Sequence, residues 1–348
     1  MVFARKEPIT RRELLRAAAA GTIGLAIRAA SGGARPSAKP PNIVFILADD
    51  LGYADVSCYG RPDLSTPSID HIAAQGLRFL QAYANSAVCT ATRTALITER
   101  YQYRLRQAGS GGLADFDGGS QKTYQRMIEE MDKQIGRVLQ ALHANGLTEN
   151  TIVIFTSDNG GERFADTWPF TGKKTELLEG GLRIPAIISW PARIPRGQTI
   201  EQVSISMDWV PTLLAAAGAL PDPAYPLDGM NLLPMLTQNA PPVSRKLFWR
   251  YKANAQRAAR DGDYKFLKIL DNTFLFNVVE DPLERANLKE RHKDVYQRLA
   301  QEWYEWNSSM LPEIKESFTA SFDGKQLADH FGAKTSDQMP ESPVSPDD

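Results

Sequence analysis

The sequence predicts an α/β protein: a mainly parallel central sheet flanked by helices, followed by a small C-terminal antiparallel α+β module. Three observations carry this. NIVFILA (Asn42 to Ala48), TIVIFT (Thr151 to Thr156) and LRIPAIISW (Leu182 to Trp190) are continuous apolar runs, the pattern of strands buried on both faces. Helical patterns lie between them, which favours parallel strands joined by crossovers. Beyond about Pro242 the texture changes to short strands.

Taken in order, Thr66-Pro67 is an N-cap and first helical residue, opening a helix through Ala74 that stops near Gly76. Ser120 to Asn145 is the clearest helix. Tyr124, Met127, Ile128, Met131, Ile135, Val138, Leu139 and Leu142 form one apolar face, and Gly146 ends it. Met207 to Gly218 is a further helix. KLFWRYK, QRAARDGDYKFLKIL and LFNV read as short strands, with Asp261-Gly262 as a tight hairpin turn. His292 to Met310 closes the module as a helix.

Residues 1–39 are a targeting segment and linker, 40–242 the α/β domain, 243–311 the small module, and 312–348 a polar tail rich in Ser, Pro, Asp and Lys that predicts disorder. In the first segment, Arg11 and Arg12 precede Leu14, Leu15 and a small-residue apolar stretch. This resembles a twin-arginine export signal, implying the twin-arginine translocase as a partner and a periplasmic or extracellular location. The alternative is a basic amphipathic first helix. The stretch is shorter than the roughly 20 residues that a membrane span needs.

The chain has 348 residues, 43% hydrophobic, with a formal net charge of −1. Near-neutral charge excludes nucleic acid as the main partner. Two cysteines, Cys58 and Cys89, exclude a disulfide scaffold.

Asp49 and Asp50 follow the first strand directly, and Asp158-Asn159 follow the strand from Thr151. Ligands of open α/β sheets sit beyond the carboxyl ends of strands. Adjacent carboxylates repel unless a cation or donors compensate. Singly, the first pair reads equally as a helix N-cap and the second as a hairpin turn. Together, four hard oxygen donors make a Ca²⁺ or Mg²⁺ site. Cys89 opens VCTATRTALITER, four residues before Arg93. A buried structural cysteine and a thiol activated at a helix start both fit. GKKT (Gly172 to Thr175) is not a phosphate loop, because Thr167 stands where its first glycine belongs and Lys174 where Ser or Thr must follow Lys173.

These stretches resemble the sulfatase family of the alkaline phosphatase superfamily. PNIVFILADDLGYADVSCYG is similar to the family's opening strand, CTATR to its Cys-x-Pro-Ser-Arg signature, IVIFTSDNGG to its second metal segment and GKKTELLEGGLRIPAIISWP to its lysine-bearing segment. RDGDYKFLKI and LFNVVEDPLERANL are similar to its C-terminal module. The resemblance implies a sulfuric ester hydrolase acting on an aryl or carbohydrate sulfate. Cys89 would be converted to formylglycine by the formylglycine-generating enzyme, and its hydrate would attack sulfur. Asp49, Asp50, Asp158 and Asn159, joined by the modified Cys89, would hold Ca²⁺. Arg93 would stabilise the hydrate, and Lys174, rather than Lys173, would contact the sulfate.

Three departures qualify the resemblance. Ala91 and Thr92 replace the signature's proline and serine. More seriously, the family's Gly-Lys-Trp-His-like segment and its histidine-ended strand have no counterpart, because RYQYRLRQAG runs almost at once into the long helix. At about 30 residues per βαβ unit, losing two strands near residues 107–118 removes on the order of 60 residues. The four histidines, His71, His143, His292 and His330, match no catalytic position. The expectation is a sulfatase-like sheet lacking some strands and an enzyme impaired by loss of its catalytic Lys and His. The alternatives are a non-catalytic remnant binding a cation or anionic glycan, and a phosphodiester or phosphonate hydrolase.

Overall fold

The structure, a computed structural model, describes residues 39–104 and 120–313. The export segment, the polar tail from residue 314, His330 and the expected gap near 107–118 lie outside them.

The elements are β1 (Asn42–Ala48), α1 (Pro67–Ala74), β2 (Gly76–Phe79), β3 (Ala82–Tyr83), α2 (Cys89–Thr98), α3 (Gln121–Ala144), β4 (Thr151–Ser157), α4 (Glu179–Leu182), β5 (Ala186–Ser189), β6 (Gln198–Ile200), β7 (Ser204–Ile205), α5 (Trp209–Ala217) and α6 (Leu233–Gln238). The C-terminal part adds β8 (Lys246–Tyr251), β9 (Gln256–Asp261), β10 (Tyr264–Ile269), β11 (Asn272–Asn277) and α7 (Lys293–Ser308).

The central sheet has the order β1-β4-β5-β2-β6. β1 pairs parallel with β4 and β2 with β6, while β5 runs antiparallel to both β4 and β2. Four strands therefore share one direction, and β5 makes the sheet mixed. The expected strand from Leu182 begins at Ala186, because Glu179–Leu182 completes a helical turn first. β2 carries no apolar run long enough to announce it, and the helix before it ends at Ala74 as expected, with Gln75 as its C-cap.

Side chains alternate across the sheet as strand geometry requires. Val44, Ile46, Val153, Phe155 and Ile187 pack with Ile69, Ile72, Ile128 and Ile135 of α1 and α3. Phe45, Leu47, Ile152, Ile154 and Ile188 pack with Trp209, Leu232 and Leu236 on the other face.

Two expectations are corrected here. NIVFILA is not an interior strand: β1 lies at the sheet edge, and Ile43 is 42% exposed, because no described strand pairs with its open side. The apolar face of α3 is also not covered throughout. Ile128 and Ile135 are buried, but Met127 and Val138 reach solvent, since no described element packs on that flank. The N-terminus of α1 is a third difference. Thr66 makes no side-chain cap; buried Asp132 of α3 instead accepts from the Ser68 and Ile69 backbone N–H groups.

The second sheet is antiparallel, in the order β11-β10-β9-β8. Asp261 pairs with Tyr264, so the hairpin corners are Gly262, with φ 58°, and Asp263. One face buries Ala259, Phe266 and Leu275 under Leu299 and Trp303 of α7. The other packs Trp249, Ala258, Leu267 and Phe276 against Tyr83, Val88, Ala91, Leu177 and Leu182 of the α/β part. That second contact sits behind Cys89 and Lys174.

Candidate active site

Ala48 and Ser157 are register partners on β1 and β4. The next residues, Asp49 and Asp158, therefore leave the sheet side by side. Asp50 takes a left-handed turn with φ 58°, and its N–H donates to Asp158 Oδ1 at 3.2 Å. The Leu51 N–H donates to Ser157 Oγ at 3.1 Å, so both loops are pinned at their roots. After Asn159 the chain passes through Gly160 and Gly161. A Cβ on Gly160 would come within 1.9 Å of the Gly180 carbonyl oxygen, and one on Gly161 within 2.8 Å of Gly52 Cα. Only glycine permits these backbones to approach so closely.

Asn159 Nδ2 donates to Asp50 Oδ1 at 2.9 Å and to the Gly160 carbonyl at 2.8 Å. Its Oδ1 is buried with no hydrogen-bond partner. A buried acceptor left unmatched is costly unless something absent from the protein chain satisfies it.

Cys89 is the first residue of α2, with Val88 extended as its N-cap and no side-chain cap over the helix end. Its Sγ and one carboxylate oxygen each from Asp49 and Asp158 lie within 4.8 Å of one another. Arg93, one turn along the helix, directs its guanidinium at the same carboxylates. Nε and Nη2 lie 2.8 and 2.7 Å from Asp158 Oδ2, and Nη2 lies 3.1 Å from Asp49 Oδ1. Burial pushes the Asp158 carboxyl up to about 6, with the Arg93 hydrogen bond opposing and the Asp49 charge adding.

Lys174 Nζ reaches Asp50 Oδ2 at 2.6 Å and Glu162 Oε2 at 3.3 Å. Burial disfavours its charge, but the two carboxylates outweigh that and hold the ammonium above its ordinary value. All seven residues singled out in the sequence thus meet at one end of two adjacent strands. Lys173 is not among those the ion pairs connect to Asp50.

Two neighbours were not legible in advance. Glu162 stands three residues beyond Asn159 and returns to face Lys174; burial, then a hydrogen bond to Asp50, raises its carboxyl. Tyr251 enters from β8. Burial pushes its phenol up to about 12, with the Lys174 charge opposing and Cys89 adding. The sequence signal for Glu162 is its place in DNGGE; Tyr251 has none.

The described histidines stand elsewhere. His71 and His143 line a cavity of about 470 Å³ between α1 and α3, together with Thr151 and Ser189 at the opposite end of the strands. His292 packs on the Tyr264 ring.

Two carboxylates and a sulfur within 4.8 Å of one another, with a third carboxylate and an unmatched amide oxygen in the same pair of loops, suit a divalent cation. The two basic side chains beside them suit an anionic substrate group.

The chain matches the Sulfatase family over residues 41–117 and 114–219, and the family described as N-sulphoglucosamine sulphohydrolase, C-terminal, over 170–309. It is similar to the N-acetylgalactosamine-6-sulfatase of Homo sapiens, 25% identical over 379 residues covering 67% of this chain and 72% of the relative. It is likewise similar to arylsulfatase A of Homo sapiens, 27% identical over 380 residues covering 66% and 75%. Among solved structures, it resembles the PsFucS1 sulfatase from Pseudoalteromonas sp., with TM-score 0.65 and 20% identity over 86% of this chain and 95% of that one. Because the family match takes in more than half of the chain, and the relatives agree with it, the chain belongs to the sulfatase family of sulfuric ester hydrolases.

Proposed function

We propose that this chain is a formylglycine-dependent sulfuric ester hydrolase with an incomplete catalytic set. The observation that carries the reading is the cluster of Asp49, Asp158 and Cys89, with the buried, unmatched Oδ1 of Asn159 next in chain to Asp158. In this reading Asp49, Asp50, Asp158 and Asn159 hold Ca²⁺, with Mg²⁺ as the alternative, and the residue made from Cys89 joins them. A cation so placed polarises sulfate oxygens and favours the deprotonated nucleophile. Arg93 fixes the Asp158 carboxylate and lies one helical turn from Cys89, where it can orient the modified side chain. Lys174 is the donor nearest the cluster on its other side and receives the sulfate. The formylglycine-generating enzyme is the partner required, and the paired Arg11 and Arg12 support export in the folded state to the periplasm or cell exterior.

Incompleteness is supported from four directions. No described histidine lies near Cys89. β1, an apolar strand, stands at an edge that no described strand covers. An alignment 379 residues long takes in only 67% of this chain, so much of the relative's length has no counterpart here. The family match is split into two pieces that overlap at 114–117, which supports a gap near 107–118. General acid–base catalysis is worth typically about 10²–10⁴-fold, so turnover is expected to be low by that factor.

The test is hydrolysis of a small aryl sulfate after co-expression with the formylglycine-generating enzyme, alongside the mass of the peptide containing Cys89. Conversion to the aldehyde with turnover above a Cys89→Ala variant supports the reading. Conversion with no turnover favours a non-catalytic cation- or glycan-binding remnant. Faster cleavage of a phosphodiester or phosphonate ester than of the sulfate would replace the substrate class.

A further inference from the structure

We propose that Gln256, in the C-terminal sheet, is the positioning residue that sets the reach of Lys174; the sulfate-binding consequence rests on the role given to Lys174 above. Lys174 sits in a loop without regular structure between β4 and α4. The residue after it, Thr175, has φ 77°. A β-branched residue is disfavoured in the left-handed region and stays there only when its surroundings dictate it.

Those surroundings are few and specific. The Thr175 N–H donates to the Ala87 carbonyl at 2.7 Å, two residues before Cys89. Gln256 Nε2 donates to the Thr175 carbonyl at 2.9 Å, and Gln256 Oε1 accepts from the Leu177 N–H at 2.8 Å. The side-chain amide therefore satisfies one acceptor and one donor on either side of Glu176, as the next strand of a sheet would. Gln256 is fully buried, and its own anchor is a bond from Nε2 to the Ala253 carbonyl at 3.2 Å. It begins β9 directly opposite Tyr251.

The Lys174 loop is thus held at three points: the Lys174 N–H donates to the Gly161 carbonyl at 2.8 Å, Thr175 is tied to the strand-to-helix turn that presents Cys89, and one amide from the C-terminal sheet holds the Thr175 carbonyl and the Leu177 N–H. Without that amide, the Thr175 carbonyl and Leu177 N–H lose their partners in a dry interior. The backbone then relaxes out of φ 77°, and Nζ moves off Asp50. The cluster of Asp49, Asp50, Asp158 and Asn159 leaves the ends of β1 and β4, so the cation site is kept, and release of Asp50 from the Lys174 ammonium favours the cation. The C-terminal module would act on the site through Lys174 without touching the substrate.

Amine acylation of the full-length protein, read by mass spectrometry at each lysine, tests this. In the wild type Lys174 is 6% exposed and ion-paired, and Lys265 is fully buried, so both resist labelling. In Gln256→Met, labelling of Lys174 is expected to rise roughly tenfold, the loss that one buried hydrogen-bonded pair accounts for. Lys265 should stay protected, and Ca²⁺ should bind at least as tightly as to the wild type, because Asp50 is released from its ion pair. Lys174 protected as in the wild type, or Lys174 and Lys265 exposed together, would overturn the proposal. Should Gln256→Met not fold, Gln256→Glu keeps the acceptor for Leu177 but loses the donor to Thr175, and unchanged Lys174 protection there would overturn it equally. Titration of wild type and Lys174→Ala with inorganic sulfate reads the underlying role separately. Equal affinities would remove Lys174 from sulfate binding while leaving the labelling result to decide the positioning.

Discussion

Arg93 and Asp158 form the pair on which the site turns: two guanidinium nitrogens lie within 2.8 Å of one oxygen of a carboxylate that is fully buried. Removing one partner of such a pair leaves a charge in a dry place, which costs about 3–5 kcal/mol. Half of that is a sounder expectation here, because the Arg93 side chain is 42% exposed and solvent screens it. Arg93→Ala should therefore lower unfolding stability by about 2 kcal/mol in chelator. Saturating Ca²⁺ should recover most of the loss by taking over neutralisation of Asp158. Urea denaturation with and without Ca²⁺ measures both, and a loss that Ca²⁺ leaves untouched would separate Arg93 from the cation cluster.

Asn159 should matter to the cation and little to the folded chain. Ca²⁺ at about 100 times its Kd should raise wild-type stability by about 2.7 kcal/mol. Asn159→Leu removes the unmatched oxygen and the bond to Asp50, and should abolish that gain. Calorimetric titration and melting with and without chelator give the comparison. A wild type indifferent to Ca²⁺ and to Mg²⁺ would count against the whole cation assignment.

A buried ionic group ties the two sheets together, and it predicts a pH dependence. Lys265 Nζ lies 2.9 Å from Glu179 Oε1 and 3.0 Å from Glu284 Oε1, all fully buried or nearly so. Burial opposes charge on Glu179, but Lys265, Arg183 and Arg260 outweigh it and hold that carboxyl at about 2. Burial pushes Glu284 up to about 7 against the pull of Lys265. Between 4.5 and about 7 the folded state keeps a proton that the unfolded state has released. Stability from this group is therefore present below 4.5 and is lost as pH rises through about 7. Glu284→Gln should flatten that decline, measured as melting temperature across the window; an unchanged slope would assign the decline to other groups.

The edge of β1, which no described strand covers, carries Ile43 and no charge in seven residues. Unpaired apolar edges template association. Ile43→Lys should reduce concentration-dependent association in light scattering while changing stability by no more than about 0.5 kcal/mol, as for most surface positions. Equal scattering from both proteins would place the sticky surface elsewhere, with Met127 and Val138 next in line.

Local patterns were legible wherever one stretch of chain decides the outcome. The apolar runs at β1 and β4, the capped long helix α3 and the turn at Gly262 need only their own residues and neighbours in sequence. The ligand set was legible for a related reason. Two strands that run parallel in register must release the residues after them side by side, so Asp49, Asp50, Asp158 and Asn159 meet wherever β1 and β4 pair. Cys89 and Arg93 share a helix face because they are four residues apart.

What only the tertiary structure decided concerns surfaces that come from distant parts of the chain. Whether NIVFILA is interior or edge depends on which strands exist to flank it. Thr66 lost its capping role to Asp132, which arrives from α3. The pairing of Lys174 with Glu162, and the hold of Gln256 on Thr175 beside it, are set by loop geometry and by the docking of the second sheet. A sequence specifies donors, acceptors and apolar faces one residue at a time. Which of them face each other across a hundred residues follows from packing, and the reach of the Lys174 side chain is a packing result.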